Sequence, residues 1–293
     1  MAATLADLVA ALDLDADGPD RFTGRSPAAG RRRIFGGLVV AQALVAAART
    51  AGGRPAHSLH AYFMLPGDPE EPTDYAVERL RDGGSFTARR CVVRQHGRAI
   101  FEMMASFHAS EPGALDHAAP RPEAPPPEAL PGPDDLRSGA ITGLPPAVRS
   151  YFGRDGSIEL RPVDVSRFAR RPPGPYPARQ AVWMRAAGAL PDDAILHAAL
   201  LAYMSDMTLL DTATVAHGRT VFDPAIQAAS LDHAIWFHRP VRADGWLLYA
   251  EDSPSASGAL GFARGSVFDG SGALVASTAQ EGLIRLRDHD PRD

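Results

Sequence analysis

HSLHAYFMLP at residues 57–66 and LDHAIWFHRP at residues 231–240 are two versions of one segment. Phe63 matches Phe237 and Pro66 matches Pro240, each 174 positions apart, and Tyr62 opposite Trp236 keeps an aromatic in place. The same offset runs forward through Arg90 and Arg264, Ile100 and Leu274, and Ala105 and Ala279. One ungapped offset across more than forty positions marks an internal repeat, and repeats of this length are whole structural units. Each segment begins a series of β-rich runs broken by turn residues. In the first half these are 58–65, 75–81, 86–95 and 98–108, with Asp82-Gly83-Gly84 and His96-Gly97 as turns. In the second they are 232–239, 246–251, 258–268 and 273–286, with Asp269-Gly270 as the hairpin turn.

Ahead of each strand series lies a helix. Phe35-Gly36-Gly37 opens LVVAQALVAAART (38–50), which Gly52-Gly53 closes. Pro191-Asp192-Asp193 opens ILHAALLAYMSDMTLL (195–210), where the aspartates suit an N-cap and the positive end of the helix dipole. Both runs are apolar on nearly every face, with Gln42 in the first and His197, Ser205 and Asp206 in the second as exceptions. Helices of that kind are buried all round. The pattern implies an α+β chain in which a curved antiparallel sheet wraps a central helix, twice over.

The 111–146 stretch holds ten prolines in a chain of 293 residues and reads as an extended, semi-rigid connector, neither helix nor central strand. It divides the chain into a first domain (1–118), a linker (119–147) and a second domain (148–293). A second proline cluster at 171–177 reads as a surface loop. Composition excludes several chemistries. All 30 basic residues are Arg, and without Lys there is no Schiff-base, pyridoxal-phosphate, Walker A or kinase-type chemistry. The net charge is −5 and Arg is dispersed, so no nucleic-acid footprint is expected. Cys91 is the single cysteine and reads as a buried strand thiol, not part of a zinc site. The pairs His57/His60 and His233/His238 are spaced by odd numbers, which puts their members on opposite strand faces, and no metal is expected. The first residues carry Asp7, Asp13 and Asp15 and no basic region, so they do not read as a signal peptide, and no apolar run reaches the ~20 residues of a membrane span. A cytoplasmic protein without a membrane partner is the expectation.

In order along the chain, FGGLVVAQAL, HSLHAYFMLPGD, LRDGGSFTARR, LLAYMSDMTLL, LDHAIWFHRP, WLLYAEDSPSA and ASTAQEGLIR resemble the acyl-CoA thioesterase II family of double hot-dog enzymes. The resemblance implies an α+β double hot-dog fold, an acyl-CoA substrate, no cofactor, and homo-oligomers. It also implies that the two sheets join edge to edge, so that neither half is stable alone. Asp206, an acid on an otherwise apolar helix, matches the family's catalytic acid. Ser230 stands where the family usually has Thr and keeps the hydroxyl. Gln280, in the Gln-Glu-Gly run, matches the amide that completes the site. A hydroxyl and a neutral amide both donate and accept, which suits holding a water against a carboxylate. At the 174 offset, Ser230 falls on Ala56 and Gln280 on Ser106, so the first copy lacks the polar set. Aligning the helices by their apolar runs puts Gln42 opposite Asp206. The Phe35-Gly36-Gly37 helix start is the expected oxyanion site. Two other readings stand beside hydrolysis: an acyl-thioester hydratase or dehydratase using Asp232 and His233, and a non-catalytic acyl-CoA binding protein.

Overall fold

The computed structural model describes residues 3–27, 32–111, 113, 115–139, 141–154, 156–169 and 175–287. The first copy consists of α1 (Leu5–Leu12), β1 (Asp15–Ala16), β2 (Arg21–Gly24), α2 (Gly36–Arg49), β3 (Ala56–Phe63), β4 (Thr73–Asp82), β5 (Phe86–Gln95) and β6 (Arg98–His108). Between the copies lie α3 (Pro133–Ser138) and α4 (Pro146–Phe152). The second copy follows with β7 (Ile158–Pro162), β8 (Arg179–Ala186), α5 (Ala194–Ser205), α6 (Thr212–Val215), β9 (Ile226–Ser230), β10 (Asp232–Phe237), β11 (Leu247–Ser257), β12 (Leu260–Phe268) and β13 (Leu274–Leu286).

All strands belong to one antiparallel sheet in the order β1-β2-β4-β5-β6-β3-β10-β13-β12-β11-β8-β7, with β9 paired to β13. The order is a palindrome of the two copies about the β3–β10 seam. There Leu59 pairs with Ile235 and His60 with Ala234, so the sheets do join edge to edge. Helices α2 and α5 lie against each other within the curved sheet. Gly37 through Ala48 of α2 are buried without interruption, as a helix apolar on all faces requires.

The repeat holds in detail, with one correction. The bulge between Arg79 and Arg81 recurs between Asp252 and Ser255, and the one between Val93 and Arg94 recurs between Val267 and Phe268. In the last strand, however, the offset becomes 175. Arg89 pairs with Ala105, whereas Ala263, 174 positions beyond Arg89, pairs with Gln280. The pair Arg94–Ala99 encloses four turn residues and the pair Phe268–Leu274 encloses five, and that extra residue slips the register. A one-residue slip moves a side chain to the other face. The counterpart of Gln280 is therefore the inward Ala105. Ser106 points away and bonds His57 Nε2 through its Oγ at 2.8 Å.

Two other expectations change. The second helix does not run to 210 but stops at Ser205, with Asp206 as its C-cap. The connector is not uniformly extended. Pro133 occupies the first turn of α3, the one place where a missing N–H costs nothing, and Gly139 closes it with φ of 79°. Upstream of α3 the connector packs on the second copy. The Trp183 indole donates to Pro125 O at 2.9 Å, and Ala124 and Leu130 cover a small cluster of Trp183, Leu248 and Phe268. Within the second proline cluster, residues 171–174 lie outside the described residues.

Candidate active site

The site is built where α5 ends. Asp193 caps the helix start by accepting from the Ile195 and Leu196 amides at 2.8 and 3.1 Å. Twelve residues later the helix end is pinned to the sheet. Tyr249 Oη donates to Ser205 O at 3.1 Å and shares a 2.7 Å hydrogen bond with Thr278 Oγ1. Ser205 Oγ donates to Ala202 O and shares a 2.9 Å bond with His233 Nε2. Gly265 makes room for this arrangement, because a Cβ there would lie 2.2 Å from the Tyr249 ring.

So held, Asp206 turns its carboxylate toward β13. Gln280 Nε2 donates to Asp206 Oδ1 at 2.6 Å. Gln280 is fully buried, and its other amide atom, Oε1, is a buried acceptor with no partner among the described residues. An unsatisfied buried acceptor is costly and rare, and catalytic sites are where such groups are found. The second oxygen, Asp206 Oδ2, lies against the first residue of α2. A Cβ on Gly36 would sit 2.8 Å from it, and a Cβ on Gly37 would sit 2.6 Å from Tyr203 O. Only glycine permits so close an approach. Phe35, the N-cap of α2, has no polar side chain with which to cap that helix start. The first copy thus presents a helix N-terminus, rich in N–H donors and dipole-positive, to the acid of the second copy.

Ser230 ends β9 directly opposite Gly282 of β13, on the same sheet face as Gln280 two residues away. It is half-buried, and among the described residues its Oγ makes no hydrogen bond. Asp206 and Gln280 are therefore in direct contact, and Ser230 faces the same side with no hydrogen bond to either among the described residues.

The competing pair is not assembled. Asp232 and His233 are neighbours on a strand and face opposite ways. Asp232 accepts from the Glu281 amide at 2.6 Å, and burial holds its carboxyl above the ordinary range. His233 is fully buried against Ser205, and burial pushes it down to about 4, so it is neutral at physiological pH. Gln42 does not approach Asp206 as the helix alignment suggested. It donates to Ala11 O and Arg25 O and accepts from Tyr75 Oη at 2.5 Å. The helix C-caps place Thr50 at the position equivalent to Asp206. Among the described residues no three His, Cys, Asp or Glu side chains cluster as a metal site. Cys91 is a buried strand thiol, pushed up to about 12 by burial.

One polar cluster beside the site went unread in the sequence. Glu251 is buried and accepts from Thr208 Oγ1, from Thr212 Oγ1 at 2.7 Å and from Gln180 Nε2 at 2.5 Å. Burial raises its carboxyl to about 7 despite these donors. Strand periodicity was the available signal, since Glu251 shares the face of the apolar Leu247 and Tyr249. Next to it, Asp211 pairs with the buried Arg167 and accepts from the Val221 amide at 2.7 Å.

Comparison with known proteins places the chain in a family. Two family models match: "Acyl-CoA thioesterase N-terminal domain" over residues 23–108 and "Acyl-CoA thioesterase" over residues 157–283. The human protein named acyl-coenzyme A thioesterase 8 is 37% identical over 94% of this chain and 88% of its own length. The crystal structure of an acyl-CoA thioesterase II from Mycobacterium marinum is 40% identical and superposes with a TM-score of 0.78, covering 97% of this chain and 99% of that one. A protein from Alicyclobacillus acidocaldarius described as having the hot dog fold, at 20% identity, shares the architecture with a TM-score of 0.75 over 96% of this chain and 98% of its own. The fold is a double hot-dog, and the class is that of thioester hydrolases. The chain belongs to the acyl-CoA thioesterase family. Among the described residues no helix is long and apolar enough to cross a membrane.

Proposed function

We propose that this chain hydrolyses acyl-CoA thioesters to a carboxylic acid and coenzyme A, with Asp206 as general base. The thioester carbonyl lies at the start of α2, its oxygen toward the Gly36 and Gly37 amides. A water sits between Asp206 and Gln280, donating one hydrogen to the carboxylate and the other to the unpaired Gln280 Oε1. Asp206 takes the proton as the water oxygen bonds to the carbonyl carbon. Helix-start N–H groups hold the resulting oxyanion, a role in which such donors contribute strongly. The C–S bond then breaks, and the proton on Asp206 passes to the departing thiolate. Gln280 keeps Asp206 aimed through its 2.6 Å bond, and Ser230 confines the water from the neighbouring strand. No step needs a covalent enzyme intermediate.

The observation that carries this reading is the contact of a helix-end carboxylate with a buried amide whose acceptor is unpaired, beside a glycine helix start from the other copy. Asp206→Asn keeps the shape and removes the base. Thiol release is expected to fall ~10²–10⁴-fold, the usual contribution of a positioned acid or base, with the melting temperature held. Activity within a few-fold of the parent would move the base elsewhere. Appearance of an enoyl or hydroxyacyl thioester in place of free thiol would replace hydrolysis by hydration chemistry.

A further inference from the structure

A cavity of about 580 Å³ opens between the start of α2, α1 and α4, against the side of the helix pair. Its floor is apolar and aromatic, formed by Ile34, Phe35 and Leu38 of the first copy and Tyr203 of α5. Phe35 and Tyr203 meet edge to face with ring centroids 4.9 Å apart. These two residues flank the proposed reaction centre. Phe35 precedes Gly36, whose backbone abuts Asp206, and Tyr203 stands one helical turn before Asp206.

Among the described residues the lining carries two charged side chains, Arg33 and Arg154, and no carboxylate. Among the described residues neither guanidinium has an ion-pair partner, whereas half of the other described arginines are paired with an acid. A thioester whose carbonyl sits at Asp206 has two arms. The acyl arm is uncharged and offers these guanidiniums no partner. The other arm ends in phosphates, which arginine forks bind through charge-assisted hydrogen bonds.

We infer that this cavity receives the phosphate-bearing nucleotide arm of the substrate, with Arg33 and Arg154 binding its phosphates and Phe35 and Tyr203 guiding the thioester to Asp206. The inference rests on the acyl-thioester reading of the same site. It assigns Arg33 and Arg154 to recognition of the carrier, not to the chemistry or to the acyl group.

The test compares one acyl group on two carriers, coenzyme A and N-acetylcysteamine, which lacks every phosphate. In Arg33→Ala/Arg154→Ala, KM for the coenzyme A thioester is expected to rise about tenfold or more, the scale of losing charge-assisted contacts, with kcat little changed. KM for the truncated thioester is expected to stay within about twofold of the parent's. Equal shifts on both carriers, or none on either, would overturn the assignment. The unmutated chain gives a second readout, because phosphate contacts weaken with salt. Its KM for the coenzyme A thioester should climb with ionic strength while that for the truncated one does not, and parallel salt responses would also refute it. Calorimetric binding of free coenzyme A separates the two readings. If the parent chain released no thiol, the hydrolase reading would fail, yet tenfold weaker coenzyme A binding by the double variant would still support this one.

Discussion

The two copies meet the same structural problem with their polar residue on opposite strands. In the second, Ala263 of β12 pairs with Gln280 of β13, and the amide reaches the helix C-cap Asp206. In the first, the equivalent pair is Arg89 of β5 with Ala105 of β6, and the guanidinium reaches the helix C-cap Thr50. Arg89 is only 1% exposed. It donates to Thr50 Oγ1, Thr50 O and Arg81 O at 2.8–3.0 Å and pairs with Asp82 at 2.5 Å. Every Arg89 nitrogen is satisfied, whereas Gln280 keeps an unpaired acceptor. The helix starts differ in the same sense. Asp193 caps α5 with its own carboxylate, while α2 begins with two glycines beside Asp206. One copy has closed its pocket with a self-sufficient structural knot; the other leaves one buried acceptor unpaired among the described residues, the position that the proposed mechanism gives to water.

The comparison can be broken by exchanging stability for activity. Arg89→Ala is expected to cost roughly 3–4 kcal/mol in chemical denaturation, since it empties buried volume and strands the Thr50 groups. Its kcat should remain near the parent's at temperatures where it is folded. A large kcat loss in the folded variant would show that the first copy still serves the chemistry.

Glu251, beside the retained site, sharpens the contrast through pH. Its carboxyl titrates near 7 when folded against an ordinary 4.5. Below 4.5 it is neutral in both states and contributes no pH dependence. As pH rises toward 7 the unfolded chain ionises first, so the folded state is progressively penalised, fully so above 7. Relative to the parent, Glu251→Gln should therefore gain on the order of 2–3 kcal/mol between pH 4.5 and 8. Denaturation curves at both pH values measure it, and a pH-independent difference would place the charge elsewhere.

The smallest effect concerns Ser230, which faces the site with no hydrogen bond to its other members among the described residues. Ser230→Ala should lower kcat about tenfold, within the range for one water-orienting hydrogen bond. Ser230→Thr should stay within a few-fold. Equal rates for Ala and Ser would remove the hydroxyl from the reaction.

Much of this arrangement is readable in the sequence because burial and periodicity wrote it there. The all-apolar helices and the paired strand series recover the curved sheet around each helix, while the seam between the sheets and the choice of Asp206 come from the family resemblance. What escapes is governed by single residues or by distant packing. The extra residue in the turn after β12 slips Gln280 from the Ser106 position to that of Ala105, and an ungapped offset has no means of registering it. Helix α3 hides behind its own proline, because composition does not distinguish a proline at a helix start from one that breaks a helix. Gln42 looks like a counterpart of Asp206 until Tyr75, thirty-three positions away, is seen to bind it. The outer strands β1, β2 and β7 are short, and neither they nor the eight-residue β8 fall on the sequence repeat that would amplify their signal.

The antiparallel ladder between β3 and β10 has a consequence for how this protein comes apart. Five residue pairs across it, from Asp232–Tyr62 to Trp236–Ser58, bind the copies through their backbones. Opening the seam would expose two strand edges at once and strip α2 from α5. Neither copy is therefore expected to melt while the other stays native, and calorimetry showing two separate transitions would contradict this. The proline-rich tether marks two units in the chain, but the shared ladder makes one joint transition the expected outcome of denaturation.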